Sequence, residues 1–188
     1  MSQRIAVLKK IRYCLPLRQR KLYYNSIIRP VVDYVSVLWT SCNKECLRRV
    51  LKLQKRAARV ILSVNSRSSS VKLFNQLGWI PFYKEVNISK CLYIFKKLNG
   101  ILPSYMNDIF VINSQRHSRD TRYCNFNVVC PKYNRETEGG KTFRVTSCKL
   151  WNMLPLSIRK EKSIKALKRN LWKKIFNEQC STGHFSGL

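Results

Sequence analysis

Residues 44–62 carry the most recognisable chemistry in this sequence, a row of cationic side chains at helical spacing. Wound at about 100° per residue, this stretch has one apolar side and one cationic side that covers an arc of about 120°. We expect no acidic residue on the cationic side. Because like charges at i,i+4 repel, such a row favours contact with nucleic-acid phosphates over a merely solvated surface. The cations are Arg48, Arg49, Lys52, Lys55, Arg56 and Arg59.

A second group of cations and three aromatic residues are further candidates for contact with nucleic acid. The predicted helix 163–176 turns its apolar residues to one side, and its candidate cations are Lys165, Lys168 and Arg169. Aromatic rings can stack on unpaired bases. Most aromatic residues here lie at core spacing, so packing is their default interpretation. The base-stacking candidates lie in the basic stretch 111–140 and are Tyr123, Phe126 and Tyr133.

The sequence lacks the groupings of side chains that catalysis requires. Polymerases and nucleases hold metal ions with clustered carboxylates, but Asp33, Asp108 and Asp120 lie far apart in sequence. Residues 139–142 read Gly-Gly-Lys-Thr, as in a phosphate-binding loop, but Arg135 stands where that motif needs its first glycine. We therefore expect no catalytic residue and no cofactor, and we interpret the glycine pair as a flexible hinge before a helix.

Eight cysteines and two histidines raise the alternative of a zinc site or of disulfides. Cys42 and Cys46 form one close pair, but no second pair follows at the spacing of a structural zinc site. The N-terminus has no apolar signal region, and no stretch has the ~18 apolar residues of a membrane span. We expect no bound metal and free thiols in a reducing compartment, nuclear or cytoplasmic rather than secreted.

The charge balance indicates an anionic partner. Lys and Arg number 37 against 9 Asp and Glu, which gives a formal net charge of +28. Self-repulsion at this charge destabilises a compact state unless something neutralises it. Nucleic-acid phosphates are the expected neutraliser. An anionic membrane surface, bound by basic amphipathic helices, is the alternative.

Apolar periodicity predicts a mainly α fold, with a helical bundle followed by a second small helical region and at most a short strand pair. Residues 126–129 are the candidate extended piece. We expect a short helix over residues 71–77 that ends at Gly78. The expected segments are a helical region (1–64), a helical connector region (65–112), a basic loop with C-terminal helices (113–178) and a disordered tail (179–188).

Four sequence blocks occur in a recognisable order. They read LYYNSIIRP (22–30) with Asp33, Tyr34 and Trp39, LQKRAARVIL (53–62) with LGWIP (77–81), FKKLNG (95–100) with PSY (103–105), and GGKTF (139–143) with LWNMLPLSIR (150–159) and Ser163. Together they resemble the C-terminal part of reverse transcriptases from non-LTR (LINE-type) retrotransposons of the jockey-like and chicken-repeat-like kind. The resemblance covers residues 5–177.

The resemblance implies that residues 5–62 are similar to the polymerase thumb, which grips the primer–template duplex. The rest is similar to the region beyond the thumb, which is thought to help hold element RNA or target DNA. The family's palm motif with its two aspartates has no counterpart here. On this resemblance the chain is a non-catalytic fragment of an RNA-directed DNA polymerase, and its expected partners are RNA, DNA or a hybrid, and a separate catalytic reverse transcriptase chain.

Three other interpretations stay open. The chain can be an independent polymerase or nuclease, although the missing carboxylate cluster argues against this. It can be a structural or membrane-surface protein that uses its charge on anionic lipid. It can also be a relic reading frame without a stable product, since a thumb separated from its palm would expose apolar surface and favour aggregation.

Overall fold

A computed structural model describes residues 1–34, 36–39, 44–112 and 126–182 of the chain. These residues form a mainly helical structure without a sheet, which confirms the predicted fold class. The β feature that they contain is an isolated antiparallel bridge between Ile112 and Val128. Val128 lies in the piece 126–129 that was predicted to be extended.

The helices follow the predicted periodicity closely. Their bounds are α1 (Ser2–Ile11), α2 (Leu17–Tyr23), α3 (Arg29–Asp33), α4 (Ser36–Trp39), α5 (Lys44–Leu62), α6 (Ser70–Leu77), α7 (Phe82–Leu98), α8 (Phe143–Asn152), α9 (Leu156–Arg159) and α10 (Ile164–Thr182). Two π-helical turns (Tyr24–Ile28 and Glu136–Gly140) and a 3-10 helix (Ser104–Ile109) lie between them. As predicted, α6 ends at Gly78, whose φ of 69° is the left-handed conformation that glycine adopts at helix ends.

The last helix extends into the stretch that we expected to be a disordered tail. α10 continues to Thr182. Gln179 is buried near this end, where its Nε2 donates to Oδ1 of Asn75 at 2.6 Å and to the carbonyl of Trp79 at 3.2 Å. The local sequence has few apolar residues, so it does not predict this part of the helix. The hydrogen bonds to residues about 100 positions earlier hold it in place.

The chain forms two compact units whose boundaries differ from the expected segments. Unit 1 contains Met1–Lys84 and Ile175–Leu188, and unit 2 contains Glu85–Lys174. Both boundaries lie inside helices, α7 and α10, whereas the expected segments end at residues 64, 112 and 178.

Unit 1 is built around α5, because α1, α2 and α6 all pack against this helix. Its buried face carries Leu51, Ala57, Ala58 and Ile61. The small alanines let neighbouring helices approach closely. On the same core, the ring of Tyr24 stacks on Trp79 with centroids 4.2 Å apart.

The C-terminal end of α5 is capped by a cation from α2. Nη1 of Arg20 donates to the carbonyl of Ile61 and to Oγ of Ser63, both at 2.7 Å. Ser63 ends the helix with a left-handed φ of 55°. A positive charge is favourable at this end because the free carbonyl oxygens make the C-terminus the negative end of the helix dipole.

A buried glutamine joins α5 to the turn before α7. Gln54 is 4% exposed and lies on the otherwise apolar face of α5. Its Nε2 donates to the carbonyl of Ile80 at 3.2 Å, and its Oε1 accepts from the backbone N–H of Phe82 at 3.0 Å. A buried polar side chain is stable only when hydrogen-bonded, and here both ends of the amide are satisfied.

Unit 2 packs aromatic rings around α8. Phe143 makes edge-to-face contacts with Tyr93 and Phe110, with centroids 5.5 and 5.7 Å apart. Trp151 is fully buried, and its Nε1 donates to the carbonyl of Phe126 at 2.8 Å.

The extended piece of unit 2 is held by a side chain that pairs with its backbone. Nδ2 of Asn152 donates to the carbonyl of Val128 at 2.8 Å, and the N–H of Val128 donates to Oδ1 of Asn152 at 3.1 Å. Asn152 therefore satisfies the backbone groups that a neighbouring strand would satisfy in a sheet.

We expect Gln54→Leu to lower the free energy of unfolding by about 1–3 kcal/mol, because the N–H of Phe82 and the carbonyl of Ile80 lose their partner while they stay buried. Urea unfolding followed by circular dichroism measures the change. The matched control is Gln76→Leu on the exposed side of α6, for which a change within about 0.5 kcal/mol is expected. Equal effects of the two substitutions would contradict the role assigned to Gln54.

Candidate nucleic-acid interface

The predicted cations lie on the side of α5 opposite the core of unit 1. Arg48 and Arg49 have 59% and 77% of their side chains exposed, and Lys52 and Arg56 are exposed as well. We call the six predicted cations, Arg48, Arg49, Lys52, Lys55, Arg56 and Arg59, the α5 stripe. The helix positions them because its other side is buried and cannot rotate towards solvent.

The expectation that this side carries no acidic residue is wrong. Glu45 lies in the first turn of α5, with Oε2 3.7 Å from Nη1 of Arg48 and Oε1 4.0 Å from Nε of Arg49. Carboxylates are favoured in the first turn because the helix dipole is positive there. The sequence contains the signal, because Glu45 precedes Lys52 by seven residues and therefore lies on the same side of the helix.

The α5 stripe divides into an outer and an inner part. Lys52 and Arg56 form no salt bridge with any carboxylate in the described ranges, so their charges face solvent. Arg59 is half-buried and donates from Nη2 to the carbonyl of Ser68 at 3.2 Å. Partial burial, and then the neighbouring charge of Arg59, lower the pKa of Lys55. The outer four residues, Arg48, Arg49, Lys52 and Arg56, are therefore the ones available to a ligand.

The second cationic candidates lie on α10 within unit 2. Lys165, Lys168 and Arg169 are all exposed. Their helix turns Leu167 and Leu171 into the core, and both are almost fully buried. The three cations form a basic surface of unit 2, separate in the chain from the α5 stripe of unit 1.

The base-stacking candidates have different surroundings. Tyr123 lies outside the described residues. Phe126 is half-buried, and Nζ of Lys160 lies 5.9 Å from its ring centroid. Tyr133 is held by Lys149, whose Nζ donates to its hydroxyl at 2.6 Å and lies 4.7 Å from its ring centroid. Of the two described candidates, Tyr133 has a side chain that is fixed by a hydrogen bond, and Phe126 does not.

The glycine pair before α8 is a close-packed turn, whereas we had expected a flexible hinge. A Cβ added to Gly139 would lie 2.5 Å from Cβ of Tyr133, and one added to Gly140 would collide with the carboxylate of Glu136. Glu136 is itself 3.6 Å from Nζ of Lys149. Gly139 is required for close approach to Tyr133, whereas the side chain of Glu136 could move away from a Cβ at position 140.

The cysteines of the described part are free thiols. Burial raises the pKa of Cys91 to about 12 and that of Cys148 to about 11. Cys14, Cys46 and Cys180 are exposed. Over the described ranges, no three His, Cys, Asp or Glu side chains come close enough together to hold a metal ion.

None of the described helices is both long enough and apolar enough to span a bilayer. Comparison with known proteins gives no relative: no protein-family profile, no curated protein and no solved structure matches this chain. The functional interpretation therefore depends on the charges, contacts and sequence blocks of the chain itself.

We expect iodoacetamide at about pH 8 to alkylate Cys14, Cys46 and Cys180 in the folded protein and to leave Cys91 and Cys148 unmodified, because the thiolate is the nucleophile and burial raises the pKa of both thiols. Peptide mass mapping reports each site. Labelling in denaturant is the control and should modify all five. Rapid native labelling of Cys91 or Cys148 would contradict the described packing.

Proposed function

We propose that the chain is a non-catalytic nucleic-acid-binding fragment of a retrotransposon reverse transcriptase. It grips a primer–template duplex or element RNA through phosphate contacts. The observation that carries the proposal is the exposure of Arg48, Arg49, Lys52 and Arg56 on one side of a helix whose other side is anchored in a core. The sequence blocks that resemble the thumb and post-thumb regions support the same assignment.

The geometry of α5 suits a phosphate chain. Arg48 and Arg56 are separated by eight residues, which is about 12 Å along the helix axis. Because the backbone of α5 is already held by burial, binding costs only the rotamer entropy of the side chains that engage phosphates. Lys and Arg contacts of this kind position a nucleic acid without reading its sequence. The binding we propose is therefore tolerant of sequence and sensitive to salt.

The net charge of +28 supports an anionic partner for the whole molecule. In the described part few carboxylates are placed to offset it, and Glu45 is shared between two arginines. Each phosphate contact releases condensed counterions, which supplies a favourable free energy that a neutral partner cannot supply. A polyanionic strand is thus a better match than a protein or a small ligand.

A catalytic reverse transcriptase chain is the proposed protein partner. Unit 1 exposes large apolar side chains on α2 to α4, including Leu22 (62% exposed), Leu38 (59%) and Val31 (42%). Large exposed apolar side chains gain free energy when a partner covers them. Since this part of the sequence resembles a thumb, we propose that the palm of such an enzyme packs against these apolar side chains. The proposed location of the protein is the nucleus or cytoplasm.

We expect the quadruple substitution of Arg48, Arg49, Lys52 and Arg56 to Glu to weaken binding to a duplex or an RNA–DNA hybrid by on the order of 100-fold, and to reduce the slope of log affinity against log salt by about four, one unit for each phosphate contact. Filter binding between about 50 and 200 mM salt measures both quantities.

The control variant changes Lys9, Lys10, Arg18 and Lys72 to Glu. These exposed cations belong to the same unit but lie on α1, α2 and α6, and the change in net charge is the same. A much smaller loss of affinity is expected. If both variants lose affinity equally, only net charge matters and the α5 stripe is not the interface. If phosphatidylserine vesicles displace RNA from the parent, a membrane surface is the better ligand.

Removing the one carboxylate on this side of α5 should have the opposite effect. We expect Glu45→Gln to raise affinity for the same hybrid by about threefold, because Arg48 and Arg49 no longer share their charge with it and a repulsive group is removed. The gain should shrink as salt rises, since these side chains are exposed and screened. Unchanged or lower affinity would show that nucleic acid does not pass over the first turn of α5.

A further inference from the structure

A cleft of about 310 Å³ opens in unit 2 and is not used by the α5 stripe. Its apolar lining is formed by Phe95, Leu98, Ile112 and Phe126. Its polar groups come from Asn99, Arg159 and Glu161. Its volume lies at the lower end of the range for small-molecule sites. It therefore has room for one planar ring system with an attached sugar, and a duplex is too large for it.

The aromatic wall of the cleft is held in place by the backbone. The carbonyl of Phe126 accepts from Nε1 of the fully buried Trp151 at 2.8 Å, which fixes the position of this residue. Phe95 is 1% exposed. Nζ of Lys160 lies 5.9 Å from the ring centroid of Phe126. A rigid ring next to a cation is the usual surface for base stacking beside a phosphate.

The polar groups of the cleft comprise both hydrogen-bond donors and acceptors. Arg159 donates to Oδ1 of Asn127 and keeps a buried Nε with no acceptor among the described residues. Burial lowers the pKa of Arg159. Glu161 accepts from Nδ2 of Asn170 at 2.7 Å, so its carboxylate is oriented rather than free to turn away.

Asn99 adds an acceptor at the end of α7. Its Nδ2 donates to the carbonyl of Phe95 at 2.8 Å. This hydrogen bond fixes the amide and leaves its Oδ1 as a hydrogen-bond acceptor. The cleft thus offers a guanidinium donor, a carboxylate acceptor and an amide acceptor beside an aromatic ring.

We infer that this cleft takes a single unpaired nucleobase, unstacked from a strand that the chain holds. The inference rests on the proposed function, because the base belongs to that strand. A purely apolar ligand would leave the buried Nε of Arg159 without an acceptor. The edge of a base carries both donors and acceptors, and its face stacks on an aromatic ring. Guanine offers the acceptor O6 and the donor N2–H₂ together, so it matches Arg159 and Glu161.

The test uses the whole chain with GMP as the probe and ribose 5-phosphate as the comparison, followed by ligand-observed NMR titration. We expect ribose 5-phosphate to bind at least about tenfold more weakly, because stacking and the base-edge hydrogen bonds are lost. Phe126→Leu should weaken GMP binding about fivefold or more, and Phe126→Tyr should stay within about twofold of the parent. The control is Tyr105→Leu, an exposed aromatic residue of unit 2 outside the cleft, which should not change GMP binding.

A second variant protects the test against a folding defect in Phe126→Leu. Glu161→Gln keeps an acceptor for Asn170 but removes the charge, and it should weaken GMP binding about threefold or more. The quadruple α5 variant should bind GMP as the parent does, so failure of the α5 stripe and failure of the cleft are separate results. Equal binding of GMP and ribose 5-phosphate, no GMP binding, or no effect of both cleft substitutions would overturn the inference.

Discussion

The two hydrogen bonds of Gln54 hold α5 against the start of α7, and the position of the α5 stripe depends on that attachment. A polar side chain at the centre of an apolar face is costly unless both its donor and its acceptor are satisfied. Only one orientation of α5 brings the amide to the carbonyl of Ile80 and the N–H of Phe82. The same orientation turns Lys52 and Arg56 to solvent, so a core contact determines where the charge lies.

Charge and burial act against each other throughout unit 1. A net charge of +28 favours expansion of the chain, whereas the apolar faces of α1, α5 and α6 favour a compact core. Three cations of unit 1 reduce the conflict by donating to backbone carbonyls: Arg4 donates to Ile27, Arg20 caps the carbonyl end of α5, and Arg59 holds the linker that follows α5. Lys52 and Arg56 make no such contact in the described ranges, and a polyanion would offset their repulsion.

Unit 2 contains an extended piece, but the described ranges contain no sheet that would satisfy its backbone hydrogen-bonding groups. Asn152 and Trp151 on α8 supply the missing hydrogen bonds to Val128 and Phe126. These side chains, together with the bridge between Val128 and Ile112, keep residues 126–129 extended. The same contacts place Phe126 in the wall of a cleft, so the polar contacts that stabilise the unit also prepare its aromatic surface.

The sequence by itself determined the helical fold, the bounds of α5, the stop of α6 at Gly78 and the side of α5 that carries cations, because helical periodicity and helix ends are local properties. Even Glu45 could have been placed on that side from its spacing. Only the tertiary structure decided that Gln54 is buried, that Arg59 is half-buried, and that the unit boundaries lie inside α7 and α10. The cleft around Phe126 was also decided only by the tertiary structure. Its lining residues are separated by up to 66 positions, from Phe95 to Glu161, and no local pattern predicts which distant side chains will meet.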